Sequence, residues 1–307
     1  MQVSSIKEVL KNLIQTLQLA YLLPSILLNF YFYLFVLPSL YSKWDWKLEN
    51  EFHDLIVVYS IILVSYLFYA NNSWLIRLFE GYHFTDDPFI QKIYTKLKRP
   101  FVLEFLQLKR RVEKDIFYSE IPARKKLENN YPIDKERILP TELGNVIAAF
   151  ENYTQGRYGI NSVSMWSRLV PILQENKYIE NYISQKSVFD LNLNLTISVI
   201  LIGISYLYLA IYKQYLHSLF YLLPLWLFTC FLLYRISIHA AYGWGIAVKV
   251  AFDLYRSDLA EKLKIGTFKN LEEEEAKWKL ASKFILSKDE FDEYKNLFAY
   301  KQKEKTK

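Results

Sequence analysis

The sequence predicts an all-α integral membrane protein with about four transmembrane helices and a helical cytoplasmic domain. Three observations predict it. Charged residues are missing from four long windows: 31 uncharged positions separate Lys11 from Lys43, 22 separate Asp54 from Arg77, 22 separate Asp190 from Lys213, and 21 separate Lys213 from Arg235. A helix needs about 20 largely apolar residues to cross the hydrocarbon core, so every window is long enough. The composition, 52% hydrophobic and 17% aromatic with only 8 Gly and 9 Pro, excludes a disordered or collagen-like chain. The remaining Lys and Arg are one-sided: two precede the first window, 18 lie between the second and third, and 15 run from Arg235 onward. The two short loops hold two and one. Positive residues stay inside, which predicts cytoplasmic termini and a cytoplasmic central segment.

The elements follow in chain order. Residues 1–18 form an amphipathic N-terminal helix, with Ile6, Val9, Leu10, Leu13 and Leu17 at helical spacing, suited to the bilayer surface. Residues 19–76 form a first transmembrane hairpin with spans near 19–40 and 55–75. Trp44, Trp46 and Trp74 fall at interfacial belt positions. Residues 77–188 form a cytoplasmic helical domain. Within it, Pro122, Pro132 and Pro140 mark 121–140 as an irregular connector. Leu143, Val146, Ile147 and Phe150 then mark an amphipathic helix, capped by Thr141. Gly156 and Gly159 bracket a turn at Arg157-Tyr158, and a short helix follows from Ser162 to Leu173.

Residues 189–235 form the second hairpin, with spans near 192–212 and 215–235. Pro24 and Pro224 mark possible kinks in the first and fourth spans. Residues 236–307 form a helical extension and tail. Small residues recur there in two stripes, Ser237, Ala241, Gly245 and Gly243, Ala247, Ala251, the spacing that lets helix backbones approach closely. Asn270 ahead of Glu272–Glu275 predicts a helix start, and Ser287 starts a second tail helix. The four-Glu run reads as a solvated first turn, and Glu273–Lys277 and Glu275–Lys279 form i,i+4 pairs.

The search for chemistry excludes more than it finds. One cysteine (Cys230) and four scattered histidines (His53, His83, His217, His239) give no disulfide, metal or cofactor signature. No catalytic constellation is apparent and no enzyme is expected. No Asp, Glu, Lys or Arg falls inside the four spans as drawn, which argues against an ion pump. The formal net charge of +6 is explained by a basic surface beside anionic lipid, and no nucleic-acid motif occurs. Arg157, Arg168, Glu142 and Glu151 fit either a phosphate or carboxylate site or a set of structural ion pairs.

Two strings carry a resemblance. The first is Leu-Pro-Thr-x-Leu-Gly-Asn (139–145), Glu-x-Tyr (151–153), Arg-Tyr-Gly (157–159) and Trp-x-Arg-Leu (166–169). The second is Tyr-Gly (242–243), Phe-Asp-Leu-Tyr-Arg (252–256) and Asp-Leu (258–259). Together they resemble a family of uncharacterised bacterial multi-span inner-membrane proteins, over roughly residues 139–260. The family pattern has Asp and Pro where this chain has Asn161 and Ser167. The resemblance implies architecture and location, not a reaction. The candidate partner or ligand residues, any of which also fits a structural role, are Thr141, Gly144, Asn145, Glu151, Tyr153, Arg157, Tyr158, Gly159, Trp166, Arg168, Asp253 and Arg256. The expected function is a membrane-anchored binding or signalling component that meets a protein partner. The alternative is a homo-oligomeric channel or membrane-perturbing effector, motivated by the small-residue stripes and charge-free spans.

Overall fold

The computed structural model describes residues 19–40, 51–82, 88–115 and 121–286. Every regular element among them is helical. The expected surface helix over 5–17, the Trp44 and Trp46 belt positions and the second tail helix lie outside the described residues. The chain opens with α1 (Leu19–Tyr31), a π-helical turn (Phe32–Val36) and α2 (Leu37–Leu40). Then come α3 (Glu51–Glu80), α4 (Pro88–Lys114), α5 (Ile121–Asn130) and a 3-10 turn (Lys135–Arg137). The order closes with α6 (Glu142–Tyr158), α7 (Ser162–Glu175), α8 (Tyr178–Tyr212), α9 (Leu216–Lys262) and α10 (Leu271–Leu286).

Four helical stretches are long and apolar enough to cross a bilayer: Leu19–Ser39, Asp54–Glu80, Tyr178–Tyr212 and His217–Lys262. They contain the four expected spans, apart from their outermost residues. At 1.5 Å per residue α9 is about 70 Å long, more than twice a hydrocarbon core of about 30 Å. The chain divides into two compact units, Met1–Leu78 with Lys186–Ala240 and Phe79–Gln185 with Ala241–Lys307. These divisions fall within continuous helices, α3, α8 and α9, as do the ones expected from sequence at 76/77, 188/189 and 235/236.

The first unit is apolar outside and partly polar inside. Phe220 and Tyr221 are 77% and 74% exposed, while Ser25, Asn29, Ser65, Asp190, Asn194, Thr196, Ser198 and Ser237 are buried. Pro24 explains one of these. Proline has no N–H, so the Ala20 carbonyl loses its partner four residues on. Asn194 Nδ2 on α8 donates to that carbonyl instead, at 3.2 Å. Ser198 Oγ donates to the Pro24 carbonyl at 3.4 Å. The same helix is held to α9 by Trp226, whose Nε1 donates to the Val199 carbonyl at 2.8 Å. Gly203 makes room for this indole: a Cβ there would lie 1.9 Å from it.

The second unit has a core of Leu143, Ile147, Met165, Leu169, Phe252 and Trp278, each under 2% exposed. Helix α10 packs on α6 and α7. Three expectations change here. Residues 121–140 are half helical rather than an irregular connector. Pro122 lies in the first turn of α5, where no N–H is needed, and the helix ends ahead of Tyr131, the residue that Pro132 restricts. The turn is at Gly159 alone, because α6 runs through Gly156 to Tyr158. Gly156 answers a packing need instead: a Cβ there would lie 1.9 Å from Ile133 Cδ1. The four-Glu run is not wholly solvated, since Glu274 is buried and paired with Arg256.

Candidate functional site

The residues singled out by sequence gather in the second unit, and most of them build its frame. Thr141 Oγ1 accepts from the Gly144 N–H at 2.9 Å and caps α6. The same hydroxyl donates to the Phe79 carbonyl at 2.8 Å, which fixes α6 to the end of α3. Gly144 permits that approach: a Cβ there would lie 2.6 Å from the Glu80 carbonyl oxygen. Asn145, 1% exposed, accepts from the Leu139 N–H at 2.7 Å and donates to the Leu139 and Thr141 carbonyls at 2.9 and 2.8 Å. One side-chain amide thus satisfies three backbone groups of a segment without regular structure.

The far end of α6 is closed in the same way. Gly159 has φ +73, a left-handed conformation that favours glycine. The Ile160 N–H turns back to the Thr154 carbonyl at 3.2 Å. Asn161 Oδ1 accepts from the Ser164 N–H at 3.0 Å and caps α7, a role Asp would fill equally well. Ser167 is exposed.

At the centre lies Asp253 of α9. Its carboxylate accepts from Tyr153 at 3.0 and 3.2 Å and from Tyr158 at 2.9 Å. Arg256 lies 4.3 Å over the Tyr158 ring, donates to the Asp253 carbonyl, and donates from Nε to Glu274 of α10 at 2.8 Å. Arg157 and Lys249 lie over the Tyr153 ring at 5.1 and 5.3 Å. Burial, then hydrogen bonding to Asp253, pushes the Tyr153 phenol up to about 12, and the same causes raise Tyr158. Both phenols stay protonated at neutral pH and donate to Asp253. The cluster therefore clasps α6, α9 and α10 together.

Arg168 donates to the Ser164 carbonyl one turn back and is exposed. Arg157 is engaged by Tyr153, so neither guanidinium shows the convergent geometry of a phosphate site. The two small-residue stripes are used within the chain. Ser237, Ala241, Ala247 and Ala251 are buried. A Cβ on Gly245 would meet Phe150, and one on Gly243 would meet Gln185. The Ala247 carbonyl accepts from Tyr178 at 3.2 Å.

Glu151 and Trp166 differ from the other motif residues: both line a cleft of about 170 Å³ with Phe150, Ser162, Tyr182 and Trp244. Trp166 packs on Tyr182 with ring centres 4.5 Å apart, and Phe150 meets Trp244 edge-on at 4.9 Å. Val163, 66% exposed, forms part of its rim. Sequence reasoning did not include Tyr182 or Trp244, because they lie on helices that no local pattern connects to α6. It also missed Asp190 in the first unit, 3% exposed, ion-paired with Lys186 and accepting from Tyr21 Oη at 3.1 Å. The i,i+4 spacing of Lys186 and Asp190 was the available signal.

No protein-family model, curated protein or solved structure matches the chain.

Proposed function

We propose that the chain is a membrane-anchored binding component, with the first unit as its anchor and the second as the face offered to a cytoplasmic protein partner. The bacterial inner membrane is the proposed location, from the resemblance and from the one-sided Lys and Arg. The four bilayer-length helices and their apolar exteriors support the anchor. The observation that carries the binding role is the cleft beside Trp166. Its walls are aromatic, Glu151 supplies the carboxylate among its lining residues, and its volume suits one anchoring side chain rather than a drug-sized ligand. The stripes that motivated a homo-oligomeric channel are covered by Phe150, Gln185 and Tyr178 of the same chain.

The test is the mass of the complex taken from native membranes into lipid nanodiscs, with the co-purifying chains identified. The proposal expects one or two copies with a stoichiometric second protein, lost when the cleft rim is altered by Val163→Glu. A ring of four or more copies and nothing else would overturn it in favour of the channel.

A further inference from the structure

The first half of α4 is built unlike the rest of the second unit. Between Gln91 and Pro100 no residue is buried, whereas Phe105 and Leu108 further along the same helix join a core with Ala123, Tyr131 and Ile138. Yet this half is not polar. Phe89, Ile93 and Leu97 are 72%, 44% and 55% exposed, one helical turn apart. At 3.6 residues per turn Ile90 and Tyr94 extend the same apolar arc, while Gln91 and Thr95 lie opposite. Lys92, Lys96 and Arg99, all exposed, line one border of the arc. No acidic residue occurs from Pro88 to Leu103. Lys98 donates to the Glu136 carbonyl at 3.1 Å, which ties the end of this arm to the body of the unit. An apolar arc bordered by cations is the pattern of a helix lying in the plane of a bilayer.

The chain also limits where this arm can be. Seven residues separate Glu80, the end of α3, from Pro88. At no more than about 3.6 Å per step, the eight steps from Glu80 to Pro88 start the arm within about 29 Å of the end of a bilayer-length helix. We infer that residues 88–100 form an interfacial arm that docks on an anionic lipid surface, Phe89, Ile93 and Leu97 entering the acyl boundary and Lys92, Lys96 and Arg99 meeting lipid phosphates. This inference rests on the membrane reading above. It adds a lipid contact distinct from the spans, sensitive to headgroup charge, at the start of the second unit.

The experiment uses the full chain with Cys230→Ser and single cysteines in place of Ile93, Leu97 or Thr95, each carrying a nitroxide. The proteins are placed in nanodiscs of phosphatidylcholine alone or mixed with phosphatidylglycerol, and collision with oxygen and with a water-soluble nickel complex is measured. Labels at 93 and 97 are expected to favour oxygen in the phosphatidylglycerol discs, and the label at 95 to favour nickel. The difference shrinks in phosphatidylcholine or raised salt. Lys92→Gln and Lys96→Gln each weaken docking about fivefold, the effect of one cation near an anionic surface. Equal nickel access at all three positions in phosphatidylglycerol discs would overturn the inference. So would protection at 93 and 97 that is unchanged by lipid charge, which would mean a protein covers the arc. A chain that does not incorporate into nanodiscs at all would instead overturn the membrane reading itself.

Discussion

The two units hold their helices together by different means. In the first, large apolar side chains face outward and the cross-helix contacts are polar groups reaching backbone carbonyls: Asn194 to Ala20, Trp226 to Val199, Ser198 to Pro24. In the second, Trp278, Phe252, Met165 and Leu169 fill an interior, and a side-chain network at Asp253 clasps α6, α9 and α10. The difference teaches where each unit's cohesion originates. On the proposed reading, apolar burial against water stabilises the second unit. In lipid, where tails are as apolar as leucine, that effect is absent, so packing and hydrogen bonds would serve in the first.

The sharpest way to break this comparison is to damage each unit separately. Trp278→Ala removes a fully buried indole and should cost the second unit about 3–5 kcal/mol. In nanodiscs, protease cleavage near Lys264 and Lys269 should rise while the first unit stays protected. Asp190→Ala leaves Lys186 facing a vacated site and should cost the first unit about 3–5 kcal/mol, as loss of one member of a buried pair does. Thermal melts followed separately in each unit check both, and equal losses in the two units from either change would contradict the division. Gly159→Ala is smaller. It places a Cβ at φ +73, costing about 1–2 kcal/mol before its contact with the Glu275 carbonyl is relieved. Asn194→Ala leaves the Ala20 carbonyl without its substitute donor and should cost about 1 kcal/mol, in line with hydrogen bonds between membrane helices.

The smallest effect is one of pH, and it is read only above about pH 10. Tyr153 is raised in the folded state from 10.0 to about 12. Its contribution is therefore fully present below pH 10 and is lost as pH rises toward 12. Phenolate absorbance should show several tyrosines of the second unit ionising late, Tyr153 and Tyr158 among them, and Asp253→Asn should bring those two back toward 10. Unchanged titration in that variant would remove Asp253 from the centre of the clasp.

Local features were legible in the sequence. The charge gaps located α1, α3, α8 and the start of α9, because a long apolar run survives any choice of partner. The Thr141 and Asn270 caps and the Glu273–Lys277 and Glu275–Lys279 pairs are set within one turn. What joins distant segments was not legible. Tyr153 and Tyr158 meet Asp253 about 100 residues later, and helical periodicity shows which face is covered but not by which helix. Asp190 is hidden for a related reason: as the charge that ends an apolar window, it reads as lying outside the span. Glu274 looked like one of four equivalent carboxylates, and only the approach of Arg256 distinguishes it.

The central proposal is that the first unit anchors the chain in a membrane and that the second is exposed to the cytoplasm. It is tested most directly by single cysteines in a Cys230→Ser chain expressed in a bacterial host. One replaces Gln214, in the short turn between α8 and α9, and one replaces the exposed Val163 of α7. An impermeant maleimide added to intact cells should label position 214 at once and position 163 only after permeabilisation. Labelling of 163 in intact cells with 214 protected, or of neither position after permeabilisation, would contradict the account.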